Sequence, residues 1–162
     1  AVRAVITAIG GSGVYLLKPD RPPLSLAPLP EITAIVRREG DLLLADSSSA
    51  RLFELRDYRA SPALVPLAEL EPGALTVGLA AAPDGKHVFV AERTCRCLQI
   101  FARSGQHVES IPLSVEPTRL EPWSKDGRRF LLNRPSGPAA PFWILDAGEG
   151  YRVYFVPGGV QE

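Results

Sequence analysis

Asp84-Gly85 and Asp126-Gly127 stand 42 residues apart, each between two apolar runs of the same kind. The first pair follows Gly78-Leu-Ala-Ala-Ala-Pro83 and precedes His87-Val-Phe-Val-Ala91. The second follows Arg119-Leu-Glu-Pro-Trp-Ser-Lys125 and precedes Arg129-Phe-Leu-Leu132. Gly accepts positive φ and Asp hydrogen-bonds its own backbone, so each pair marks a tight turn between two short strands. Recurrence at a fixed period of this length narrows the choice of fold sharply. One unit cannot bury its own faces, so successive units must stack.

A third copy lies upstream, where Glu31-Ile-Thr-Ala-Ile-Val36 leads through Arg37-Arg-Glu-Gly-Asp41 into Leu42-Leu-Leu-Ala45. Arg51-Leu-Phe-Glu-Leu55 then matches Leu98-Gln-Ile-Phe101 and Phe142-Trp-Ile-Leu145. Leu64-Val-Pro-Leu67 matches Val108-Glu-Ser-Ile-Pro-Leu113 and Arg152-Val-Tyr-Phe-Val156. Ser104-Gly105 and Gly148-Glu-Gly150 turn the chain between these last two runs. Each copy therefore reads as four strands joined by turns. Such a repeat predicts an all-β fold, a β-propeller of four-stranded antiparallel blades.

The first thirty residues are a partial copy, with Val5–Ile9, Val14–Leu17 and Leu24–Leu29 as second, third and fourth strands. A competing register makes Val5–Ile9 a first strand, since Ile6-Thr-Ala-Ile9 recurs as Ile32-Thr-Ala-Ile35. The former is preferred because a Pro-rich segment precedes each new blade: Pro28-Leu-Pro30, Glu71-Pro72, Glu116-Pro117. The expected division is one propeller domain or propeller fragment over residues 1–162: a partial blade at 1–30, then blades at 31–72, 73–117 and 118–159.

The absence of Met, with the incomplete first blade, fits either a processed product or part of a longer chain. Fewer than four blades fall short of the usual closed ring. Either the chain is the remainder of a larger propeller, or two copies complete a ring as a homodimer. Helical periodicity is nearly absent, and 16 prolines with 14 glycines punctuate strand ends. Basic and acidic residues balance at 18 each without blocks, which argues against nucleic acid or an anionic membrane surface as partner. The doublets Arg37-Arg38 and Arg128-Arg129 read as solvated turns. No apolar run is long enough for a membrane span.

Cys95 and Cys97 are the only cysteines and are placed at the start of a strand, where alternation puts both on one face. Same-face neighbours lie roughly 6.5 Å apart, near the limit of disulfide geometry. The favoured expectation is two reduced, partly buried thiols; a bridged redox pair and a metal site are the alternatives. His87 and His107 lack metal-site spacing and fall beside turns, where exposure is expected. Gly10-Gly-Ser-Gly13 reads as a hairpin turn, because a phosphate-cradling loop must enter a helix and here a strand follows. Trp123 and Trp143 are expected to fill space between blades. No catalytic motif and no cofactor site emerge.

Topology locates a candidate site. In a four-stranded blade, the loop from strand two to three and the connection into the next blade share one end. Asp46-Ser-Ser-Ser49, Glu92-Arg93 and Asn133-Arg134 all follow a second strand, so Asp46, Glu92, Arg93, Asn133 and Arg134 are the candidate ligand-binding residues. Polar residues also belong at strand ends for purely structural reasons.

Gly78-Leu-Ala-Ala-Ala-Pro-Asp-Gly-Lys-His-Val-Phe-Val-Ala-Glu92 resembles the YVTN-type repeat of bacterial propellers, with NHL and WD-repeat blades more distant. Trp123-Ser-Lys-Asp-Gly-Arg-Arg-Phe-Leu-Leu132 is similar to a lesser degree. The resemblance implies a propeller of seven or so blades, often periplasmic or secreted, in binding or surface-layer-like proteins. A lactonase also has this type of fold, but the repeat core carries no catalytic residue to transfer. The expectation is a non-enzymatic module presenting loops to a protein or small-molecule ligand; the alternatives are a propeller lactonase and a structural segment of a larger extracytoplasmic protein.

Overall fold

The computed structural model describes residues 5–8, 13–17, 20–137, 139–148 and 150–158, and strands alone form its regular structure. Among these residues no helix is long and apolar enough to cross a membrane. Two compact units divide the chain, Ala1–Gly73 and Ala74–Glu162.

In the first unit, β1 (Val5–Ala8), β2 (Val14–Leu17) and β3 (Leu24–Ala27) form a three-stranded antiparallel sheet in chain order. A four-stranded meander follows, made of β4 (Ile32–Arg38), β5 (Asp41–Asp46), β6 (Arg51–Arg56) and β7 (Ala63–Glu69). The proposed Gly10-Gly-Ser-Gly13 turn lies largely outside the described residues, as does Ile9. The β4–β5 hairpin lacks an Asp-Gly pair and turns differently. Glu39 carries the left-handed conformation there, with φ of 55°, and the neighbouring Gly40 does not.

The second unit holds two further meanders. One comprises β8 (Thr76–Ala81), β9 (His87–Glu92), β10 (Cys97–Ala102) and β11 (His107–Pro112). The other comprises β12 (Glu121–Pro122), β13 (Arg129–Leu131), β14 (Phe142–Asp146) and β15 (Arg152–Val156). Both Asp-Gly pairs form the tight turns that the repeat requires, with Gly85 at φ 67° and Gly127 at φ 70°. Asp84 accepts the backbone N–H of Lys86 at 2.8 Å and of His87 at 3.1 Å; Asp126 accepts that of Arg128 at 3.1 Å. These bonds occupy the donors a tight turn leaves over, which is why Asp precedes Gly here.

Burial follows strand position. The central strands β5, β6, β9 and β10 are buried on both faces through most of their length, as their near-continuous apolar runs demand. The fourth strands β7, β11 and β15 are largely exposed, and Pro66 in β7 suits an edge. Within the second unit, Ala80, Phe89, Ala91, Leu98 and Ile100 pack against Leu120, Phe130, Leu132 and Leu145 of the last sheet. Phe89 meets Phe130 edge-on at 5.8 Å between ring centres. Gly78 lets the sheets approach closely: a Cβ there would sit 2.5 Å from both Cβ and N of Leu120. The first unit buries Val14, Leu29, Leu42, Leu44, Phe53, Leu55 and Tyr58 in an equivalent core.

Four expectations are corrected by these elements. The first strand of the last sheet covers only Glu121 and Pro122, and just beyond it the Arg129 N–H bonds the Ser124 hydroxyl at 3.0 Å instead of a ladder carbonyl. Trp123 just beyond it is 50% exposed and leans on Phe142 instead of filling an inter-sheet space. Arg38 is not a solvated turn residue. It shares a face of β4 with Ala34 and Val36, is buried, and pairs with Glu54 of β6. Cys95 and Cys97 are not reduced thiols on one strand but a disulfide. Cys95 sits in the β9–β10 turn, where Arg96 has φ of 50°, and this bend draws the Cα atoms to 5.2 Å. That separation lies inside the bridging range.

Candidate functional site

Two of the sheets end alike where the second strand turns into the third. In β4–β7 the turn spans Ser47–Ala50, and in β8–β11 it spans Arg93–Arg96. Ala50 and Arg96 both close their turns at φ of 50°. The backbone N–H after the second strand bonds the residue before the first, Ser47 to Glu31 and Arg93 to Leu75, each at 2.9 Å. The carbonyl of the fourth turn residue accepts from the segment leaving the sheet, Ala50 from Leu70 and Arg96 from Leu113, each at 2.8 Å. Both turns are therefore fixed at both flanks by main-chain bonds.

Asp46 and Glu92 are the last residues of their strands and hold matching registers, opposite Ile32 and Arg51 in one sheet and Thr76 and Cys97 in the other. Both are buried. The Asp46 carboxylate accepts the N–H of Glu31 at 2.8 Å, the N–H of Ser49 at 2.9 Å and the Ser49 hydroxyl at 2.6 Å. It thus braces the turn from beneath. Above it, Ser47, Ser48, Ser49, the Arg51–Glu69 ion pair (3.2 Å) and Gly73 line an open hollow of about 360 Å³. Three hydroxyls and a paired guanidinium and carboxylate make this a hydrogen-bonding surface.

In the second unit, Arg93 is exposed and its Nε donates to Glu116 at 2.5 Å, so the turn is tied to the segment leaving β11. Thr94 accepts the N–H of Leu75 at 3.1 Å. Asn133 caps the neighbouring strand: its Oδ1 accepts the N–H of Trp143 at 2.9 Å and its Nδ2 donates to the Pro141 carbonyl at 3.3 Å. Arg134 is exposed. Asp46 and Asn133 accordingly act as braces of their own turns, Glu92 is buried at the matching register, and Arg93 and Arg134 face solvent.

Glu92, Cys95 and Cys97 bring their ligand-type atoms within 4.8 Å of one another. Oxidised sulfurs are not thiolates, so this group fits a metal only after reduction. His87 Nδ1 lies 2.5 Å from Asp84 Oδ2. Burial opposes ionisation of Asp84, but hydrogen bonds from Lys86 and His87 outweigh it and hold the carboxyl below its ordinary value. The pair therefore reads as a turn staple. Burial also pushes the Tyr151 phenol up, with Glu109 and Asp84 adding to the effect.

Sequence reasoning held the disulfide only as an alternative to reduced thiols and missed the serine hollow as a cavity. The Ser47–Ser49 run was the visible signal for the hollow. For the disulfide, the signal was the polar stretch Glu92-Arg-Thr94, which ends β9 before the first cysteine.

No family profile matches the chain, and no curated protein matches it. Solved structures do. Hydrazine synthase of Kuenenia stuttgartiensis superposes with TM-score 0.65 at 18% identity, over 91% of this chain and 44% of its own. A putative 6-phosphogluconolactonase from Bacteroides uniformis gives 0.65 at 14%, over 99% and 55%. Virginiamycin B lyase from Staphylococcus aureus gives 0.65 at 10%, over 97% and 59%. The chain spans about half the length of these proteins. At such identities the likeness concerns the fold alone. The chain is an all-β protein built of β-propeller blades, three of four strands and one of three among the described residues.

Proposed function

We propose that this chain is a non-enzymatic binding module whose blades present braced loops to a protein or small polar ligand. The observation that carries the reading is the repeated turn architecture. At two blade ends a buried carboxylate lies beneath a turn whose flanks are fixed by main-chain bonds. Such a loop loses little conformational freedom on binding, which is the main advantage a scaffold offers a ligand. In the first unit the ligand groups are those of the Ser47–Ser49 hollow, held in place by Asp46; in the second unit, taken by itself, they are Arg93 and Arg134, the latter beside the cap Asn133. We further assign the blades to the YVTN type on the Pro83-Asp-Gly-Lys-His-Val-Phe-Val-Ala91 core, and place the chain within a larger ring or a homodimer. The Cys95–Cys97 disulfide accords with a periplasmic or secreted location.

A propeller lactonase is the second reading, favoured by the fit to the Bacteroides uniformis structure over 99% of the chain. One experiment separates the two. The full chain is incubated with gluconolactones, with and without calcium, and ring opening is followed by chromatography; binding of polar ligands is followed by thermal shift. The binding reading expects no ring opening and a ligand-induced rise in melting temperature that Ser48→Trp, which fills the hollow, abolishes. Turnover of a lactone overturns it.

A further inference from the structure

The Cys95–Cys97 bridge lies at the mouth of the β9–β10 turn with its two sulfurs in unlike surroundings. Cys95 is exposed in the turn, while Cys97 is the first residue of β10 and only 6% exposed. Gln99 projects from the same face of β10 and donates its side-chain N–H to Cys97 Sγ at 3.3 Å. Its orientation is fixed across the β10–β11 pairing. The Gln99 carbonyl lies 2.7 Å from His107 Nε2 and also accepts the Ser110 hydroxyl, so the amide nitrogen must face the sulfur. A structural bridge between residues two apart closes too small a loop to constrain the unfolded chain much, since disulfide stabilisation grows with loop length. A donor held on one sulfur only is instead what a leaving thiolate requires.

The geometry points to a thiol–disulfide exchange site in this turn, reactive toward low-molecular-weight thiols, with Cys95 as the attacked sulfur and Cys97 as the leaving group. An incoming thiolate bonds to Cys95 Sγ as the Cys95–Cys97 bond breaks. The electron pair of that bond passes to Cys97 Sγ, where the Gln99 N–H receives the negative charge. A second thiolate attacks the small-molecule sulfur of the mixed disulfide, releasing Cys95 as a thiolate and a symmetrical disulfide. The bridge gains two electrons, two thiols are oxidised, and the two protons they give up end on Cys95 and Cys97. Run backwards, a small disulfide re-forms the bridge. Gln99 is a positioning residue in this scheme.

The test uses the full folded chain, glutathione as probe and intact-mass spectrometry. Cys97→Ser, keeping only the exposed sulfur, is expected to take up one glutathionyl group from glutathione disulfide; Cys95→Ser is expected to take up none in the same interval. Reduction of the native bridge by glutathione is expected to slow roughly tenfold in Gln99→Leu, the worth of one hydrogen bond to charge. Glutathionylation of Cys95 in the Cys97→Ser background should not change on adding Gln99→Leu, because Cys97 is not the leaving group there. A merely structural Gln99 would affect both rates or neither. Equal labelling of the two single-cysteine variants, or a native bridge that glutathione reduces only after denaturation, overturns the proposal.

Discussion

Replacing Glu54 by Ala should destabilise the chain more than any surface charge change. The Arg38 and Glu54 side chains are only 8% and 7% exposed and hydrogen-bonded to each other. The Nε and Nη1 of Arg38 are buried without another partner, so Glu54 alone compensates that guanidinium. At an effective dielectric near 20, opposite charges about 4 Å apart attract by about 4 kcal/mol. Measured losses on removing one partner of a buried pair are about 3–5 kcal/mol, the same scale, because the survivor keeps its desolvation penalty. Arg51–Glu69, with side chains 47% and 81% exposed, is the control, and Glu69→Ala should cost under about 1 kcal/mol. Urea unfolding followed by far-ultraviolet circular dichroism measures both. With a slope of about 2 kcal/mol/M, Glu54→Ala should lower the midpoint by about 2 M. Arg38→Met with Glu54→Leu should restore most of it, since two apolar side chains leave no buried charge. A Glu54→Ala midpoint within about 0.3 M of wild type would refute the reasoning.

Gly78→Ala places a methyl group against Leu120 backbone and should cost about 1–3 kcal/mol in the same assay, whereas Gly40→Ala meets nothing within 4 Å and should be neutral or slightly stabilising. Asp46→Ala strands the N–H groups of Glu31 and Ser49; a loss of about 2–4 kcal/mol and faster amide exchange in Ser47–Ala50 are expected by hydrogen-exchange mass spectrometry. Acid titration should show the turns. Asp84 titrates below its ordinary value because backbone and His87 hydrogen bonds outweigh desolvation, and Asp126 does so chiefly through Ser124. A depressed folded value means stabilisation present above the ordinary value of 3.8 and lost as pH falls through the folded one. Asp84→Asn and Asp126→Asn should therefore flatten the acid arm of a stability–pH curve.

The strands were legible because the determinants are local. Asp-Gly at a turn and an apolar run such as Val88–Ala91 each dictate backbone geometry within a few residues, and repetition multiplies the signal. Exceptions arise at ends and turns: β12 covers only Glu121 and Pro122, and Glu39 rather than Gly40 takes the left-handed position of its turn. The loop ends were legible as positions and not as roles. Asp46 and Glu92 were located by register, but whether a carboxylate at a strand end faces solvent or its own turn depends on which N–H groups converge on it. For Asp46 one of the converging donors, Glu31, belongs to the segment entering the first strand, 15 residues away in sequence. Arg38 illustrates the same point: the Arg37-Arg38 doublet read as a solvated turn, and only a partner on β6 makes an inward arginine tolerable. The Cys95–Cys97 bridge depended on a single left-handed residue, Arg96, which composition does not announce.

Cross-strand nuclear Overhauser contacts test the meander most directly. Leu79, Val90, Gln99 and Ser110 should connect in that order as antiparallel partners, and Ile35, Leu44, Phe53 and Pro66 should do the same. A contact pairing β8 with β11, or β4 with β7, would mean a Greek-key crossing and would contradict the blade architecture.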